Sequence, residues 1–201
     1  MEIEILSSVE AVRLRPELWL GDLGRESLFE DLIFEALCHA IDEALDHCCK
    51  HIQIAIESNG AMSLQYDAGI PLALHPETGR PAADILFTEL LACHKLKKHI
   101  EVGSEYCQYG LAALNAVCFE FRVDTVCKNQ RGTQTYIKGK AAQDFVISDS
   151  DGSDRTQFRF SFDEELLGHH EVQRDRLQAK AEKIMQDFIV QLDIVDASTP
   201  A

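Results

Sequence analysis

Four polar side chains recur at helical spacing in the stretch Leu32–Lys50, LIFEALCHAIDEALDHCCK: Glu35, His39, Asp42 and Asp46. Steps of four, three and four residues stack them on one face of a helix. A carboxylate there can take a proton from water, an imidazole can exchange one near neutral pH, and a second carboxylate can orient either group. Glu35, His39 and Asp42 also converge as a transition-metal set would, although a hydrogen-bonded histidine on a solvated face is the plainer reading. His47, Cys48, Cys49 and His51 look metal-like, but they hold no paired CxxC, and packing accounts for Cys48. Ile33, Leu37, Ala40, Ile41, Ala44, Leu45 and Cys48 line the opposite face, so the helix is amphipathic and sits on a core.

The neighbouring elements must hold that helix in place. Glu2–Leu6 reads as a strand or extended arm, Ser7–Arg15 as a short helix stopped at Pro16, and Glu17–Gly24 as a loop carrying Trp19. The central helix begins near Ser27–Glu30. His51–Glu57 alternates Ile52, Ile54 and Ile56 and is a strand; Ser58-Asn59-Gly60 turns it into a returning strand over Ala61–Tyr66. A second amphipathic helix covers Ala82–Cys93, a polar and locally basic lid-like stretch leads to Gly110, and a third helix covers Leu111–Val117. Strands follow over Phe119–Val126, Thr133–Lys140, Asp144–Ile147 and Thr156–Phe162. Asp163–Asp193 then reads as helix, with Leu166, Leu177, Ala181, Ile184, Phe188 and Leu192 as its apolar stripe. Strand pairs and helices are grouped, which predicts an α+β two-layer sandwich: a mixed, mostly antiparallel sheet covered on one face by helices. The expected divisions are 1–165 as the main domain, 166–193 as a C-terminal helix and 194–201 as a polar tail.

Bulk properties narrow the function. The 201 residues are 46% hydrophobic, enough for one domain with a core. Thirty-four acids against 19 bases give a net charge of −15. Such a chain repels a phosphate backbone, so no direct nucleic-acid binding is expected. No segment approaches the roughly 18 apolar residues that span a bilayer, and the acidic start MEIEIL lacks the order of a signal peptide. Seven cysteines without a regular framework fit a reducing, cytoplasmic setting.

Several words in order carry a resemblance. VEAVRLRPELWLGD (Val9–Asp22), FEALCHAIDEALDHCCKHIQIAI (Phe34–Ile56) and DAGIPLALHPETGRPAADILFTELLACHK (Asp67–Lys95) resemble, in sequence and spacing, the N-terminal ATPase domain of the DNA gyrase B and topoisomerase IV B proteins. GLAALNAV (Gly110–Val117) and RTQFRFSF (Arg155–Phe162) continue it, so the likeness covers roughly residues 5–165. These ATPases form the GHKL group with the Bergerat nucleotide site. The resemblance implies that fold, and it places Glu35 where the family has its general base and His39 where the family has a magnesium-binding Asn. Imidazole is a poor magnesium ligand. Asp42 and Glu43 match acidic positions of the family. Counting back from Gly69-Ile70-Pro71 puts Gln65 in place of the adenine-reading Asp, with Asp67 roughly 6.5–7 Å further along the strand and Ala68 in place of an Arg. Thr156 matches a Thr near the adenine pocket.

The glycine-rich phosphate lid departs most. Here it reads Ser104-Glu105-Tyr106-Cys107-Gln108-Tyr109-Gly110, and only Gly110 is kept. Glu105 is expected to bring negative charge toward the phosphates, costing about 4 kcal/mol at 4 Å and an effective dielectric of 20. His94, Lys95, Lys97 and Lys98 would offset part of that. The sequence therefore predicts a stand-alone, degenerate gyrase-B-type ATPase domain that works by binding. The expected partner is a protein, either a topoisomerase subunit or a second copy of the chain, and no cofactor is expected. The alternatives are a divergent, slow ATPase with Glu35 as its base and His39, Gln65, Asp67, Gly69, Ile70, Pro71, Gly110 and Thr156 around ATP, with no metal ligand assigned, and an acidic inhibitor that imitates DNA.

Overall fold

The computed structural model describes residues 6–92, 99–169 and 171–197. Helix α1 (Ser8–Leu14) starts in a capping box, with Ser7 Oγ accepting from the Glu10 amide and Glu10 Oε2 accepting from the Ser7 amide. Pro16 at a first helical position then starts α2 (Pro16–Leu20). Trp19, expected in a loop, thus lies on a short helix.

The central helix is two helices, α3 (Leu28–Glu35) and α4 (Cys38–Leu45). Between them the amides of Ala36 and Leu37 bond to the carbonyls of Ile33 and Phe34, three residues back, at 3.2 and 3.0 Å. This tighter turn breaks the α-helical ladder directly after Glu35. Glu35 thus ends one helix and His39 lies in the first turn of the next, where one continuous helix was expected.

Strands β1 (His51–Glu57) and β2 (Met62–Tyr66) form the first hairpin. Helices α5 (Ala82–Thr88) and α6 (Leu111–Val117) follow. Next come β3 (Cys118–Cys127), β4 (Gln130–Ile137), β5 (Lys140–Ala141), β6 (Val146–Asp149) and β7 (Arg155–Phe162). Short α7 (Glu164–Leu167), α8 (Arg174–Asp187) and β8 (Gln191–Ala197) complete the described chain. The sheet order is β5-β4-β3-β7-β2-β1-β8, with β6 also on β4. All pairs are antiparallel except β1 with β8. The expected mixed, mostly antiparallel α+β sandwich is the observed one. The C-terminal part differs: residues 191–197, expected as helix end and tail, form the parallel edge strand.

Register decides what faces what. Ile52, Tyr66, Thr156 and Thr125 sit side by side across β1, β2, β7 and β3, facing the helices and buried. One residue out of phase, Gln53, Gln65, Gln157 and Asp124 form a polar row on the open face. Under the helices, Tyr66, Phe87, Phe121, Tyr136, Phe158 and Phe160 form an aromatic core. Its ring centroids are 5.3 to 6.0 Å apart, within the favourable range for such pairs.

Gly69 marks the closest backbone approach. A Cβ there would lie 2.1 Å from the Val126 carbonyl oxygen and 2.7 Å from Cys127 Cβ. Gly69→Ala is expected to lower unfolding stability by about 2 kcal/mol, as overpacking against backbone does. Urea titration of the two proteins checks this; equal midpoints would contradict it.

Candidate functional site

The site is built on Glu35, the last residue of α3. Its carboxylate is buried and crosses to the segment before α6. Oε1 accepts from the Gln108 amide at 2.7 Å, and Oε2 accepts from the Tyr109 and Gly110 amides at 3.0 and 2.7 Å. Three consecutive amides aimed at one point make an anion-binding nest. Gly110 has φ +83°, a conformation that glycine adopts without strain and that turns its N–H into the nest. Burial pushes the Glu35 carboxyl up from 4.5 to about 7, the nearby Cys38 adds to the rise, and the three amides pull the other way.

Around His39, on α4, lies a second network. Its Nδ1 is 3.1 Å from the Tyr66 hydroxyl, and its Nε2 is 3.7 Å from Glu43 Oε1. Burial pushes the Tyr66 phenol well above its ordinary range, with the Thr156 hydroxyl acting against that. Thr156 donates to the Ala68 carbonyl at 2.8 Å and lies 2.8 Å from the Thr125 hydroxyl. Thr125 accepts in turn from the Ile70 amide at 2.9 Å. The backbone at Ala68–Ile70 is thus tied to the sheet by two buried threonines, and Tyr66 fills the space between them and His39.

Other predicted residues are elsewhere. Gln65 is exposed on the far face of the sheet, so it is not beside His39 or Thr156. Asp67 is exposed too and accepts from the Lys50 and His51 amides at 2.8 and 3.0 Å. Its partial burial raises the carboxyl, and those amides outweigh this to bring it below the usual range. Asp42 accepts from the His99 and Ile100 amides, both at 2.8 Å, and among the described residues no three His, Cys, Asp or Glu side chains are placed to hold a metal ion. Pro71 is exposed, and its carbonyl takes the Ala83 amide at 3.1 Å. Glu105 does not aim at the nest either; it pairs with Lys183 on α8. His94, Lys95, Lys97 and Lys98 lie outside the described residues. Sequence reasoning missed Tyr66, although the alternation of Met62, Leu64 and Tyr66 marks it as inward-facing.

Known proteins share this arrangement of elements. The 43K ATPase domain of Thermus thermophilus gyrase B, solved with an aminocoumarin, superposes with a TM-score of 0.79 at 22% identity, over 95% of this chain and 49% of that one. The fold is that of the gyrase B ATPase domain. Sequence similarity runs the same way. The B protein of the type 2 topoisomerase of Aquifex aeolicus is 28% identical over 184 residues, 90% of this chain and 23% of that protein. DNA gyrase B of Thermotoga maritima is 29% identical over 186 residues, 90% of this chain and 29% of its own length. DNA gyrase B of Streptococcus pneumoniae is 31% identical over 158 residues, 77% of this chain and 24% of its own. The chain thus spans less than a third of the length of these relatives. No family model matches it. No helix among the described residues is long and apolar enough to cross a membrane.

In this gyrase-B-like fold the state of Glu35 has a thermodynamic signature. Between pH 4.5 and about 7 the folded chain keeps a proton that the unfolded chain has released. Stability therefore falls as pH rises through that window and levels off above it. At about 1.4 kcal/mol per pH unit the loss is about 3 kcal/mol. Glu35→Gln, which cannot ionise, is expected to lack this component. Urea titrations of both proteins between pH 4.5 and 8 measure the difference; parallel stability curves would contradict it.

Proposed function

We propose that this protein is a gyrase-B-type ATPase domain that has lost its nucleotide site and acts as a binding module. The carrying observation is the Glu35 carboxylate seated on the amides of Gln108, Tyr109 and Gly110. By resemblance, those amides belong to the segment that gives its N–H groups to a triphosphate. An internal carboxylate already takes all three, so a phosphate must displace a buried, hydrogen-bonded group to enter.

Three further observations support the reading. Tyr66 fills the helix-facing space beside Thr156, at the end of the site where adenine is expected. His39 stands where a magnesium ligand is expected, and its ring is engaged with the Tyr66 hydroxyl. Thr156 is itself engaged, donating to the Ala68 carbonyl and lying 2.8 Å from the Thr125 hydroxyl. The residues present do not fit ATP and Mg²⁺, and no catalytic step is assigned to them.

The slow-ATPase alternative has one observation in its favour. Glu35 ionises near neutrality, as a general base should. Yet a base must face the water it activates, and both of its oxygens are taken. A binding role leaves a protein partner, and the relatives' own designation as subunits makes a topoisomerase subunit or a second copy the first choice.

Isothermal titration of the whole chain with ATP and with a non-hydrolysable analogue, each with Mg²⁺, tests the proposal. No saturable binding and no turnover are expected. Tight, magnesium-dependent binding would refute it.

A further inference from the structure

The two lid side chains that most interrupt the glycine pattern both reach α8 or the residue that follows it. Glu105 pairs with Lys183, and the Tyr106 hydroxyl donates to Asp187. The Tyr106 ring meets Phe188 edge-on, with centroids 4.8 Å apart and planes at 83°. Helix α8 also holds α3, which carries Glu35. Lys180 bonds Asp31 at 2.6 Å and lies 5.6 Å from the Phe34 ring centroid. The Gln173 amide, at the start of α8, donates to the buried Glu30 at 2.6 Å. One helix therefore grips both halves of the Glu35 nest: the element that supplies the carboxylate and the segment that supplies the amides. The 120 Å³ cavity lies where the three meet, lined by Phe34, Glu35, Ile41, Gln108 and Ile184 among others. The three elements leave open space between them there, so the contacts to 105–106 carry more of the packing.

We propose that α8 is a latch: by holding Glu105 and Tyr106 it keeps the amides of 108–110 folded onto Glu35, so that loosening α8 unseats Glu35. This rests on the reading of Glu35 as the group that occupies the nest, and it adds how that state is controlled. Glu105 and Lys183 are both more than half exposed and contribute little. The ring contact of Tyr106 with Phe188 is the larger part.

Amide hydrogen exchange on the full chain tests the latch. Phe188→Ala is expected to speed exchange at Gln108, Tyr109 and Gly110 by about three- to tenfold, the range for losing an aromatic pair, while β3 and β7 amides keep their rates. Arg176→Ala, which breaks the pair with Glu26 at the other end of α8, should leave the three amides unchanged. No change in Phe188→Ala, or an equal change in Arg176→Ala, overturns the proposal. Should Phe188→Ala fail to fold, Tyr106→Leu removes the same ring contact from the other side, and the same two outcomes are read from it. Nucleotide affinity of the wild-type chain judges the parent reading separately, because the latch can fail while Glu35 still occupies the nest.

Discussion

A buried carboxylate joins two parts of this chain that are more than seventy residues apart: Glu35 at the end of α3 and the backbone of 108–110 before α6. Burying a charge without partners is prohibitive. Three amides make the arrangement tolerable, yet burial still dominates and holds the group near neutrality in its ionisation. The consequences spread outward. The helical ladder breaks after Glu35, α6 begins at a glycine whose left-handed backbone completes the nest, and α8 lies across both partners.

The space beside Thr156 is filled by different physics. Tyr66, Phe158, Phe87 and Phe121 bring large rings into the space between sheet and helices. The polar atoms that remain there satisfy one another: Thr156 on the Ala68 carbonyl, Thr125 on the Ile70 amide, His39 on Tyr66. Backbone amides thus satisfy the Glu35 carboxyl group, and aromatic rings fill the space beside Thr156.

Much of this is legible in the sequence. The order of words from Val9 to Phe162 carries the fold, and Glu35, Gly110 and Thr156 stand out by position alone. What stays hidden turns on phase and on long-range pairing. Strand side chains alternate, so a count that is off by one residue moves a group to the other face. Counting back from Gly69 selects Gln65, whereas the pleat brings Tyr66 inward. The edge strand QLDIVDA pairs only with β1, which lies far away in sequence, so its apolar residues read equally well as the end of a helix. Glu105 shows the same limit. Its charge is plain, but its direction depends on Lys183, 78 residues later.

The central claim is that the Glu35 carboxyl group, and no ligand, occupies the 108–110 backbone. A crystal structure grown with Mg²⁺ and a non-hydrolysable ATP analogue at high concentration tests it most directly. The account predicts Glu35 oxygens within hydrogen-bond distance of the amides of Gln108, Tyr109 and Gly110, with Tyr66 still packed beside Thr156. Phosphate oxygens on those amides, with Glu35 swung away, would contradict it.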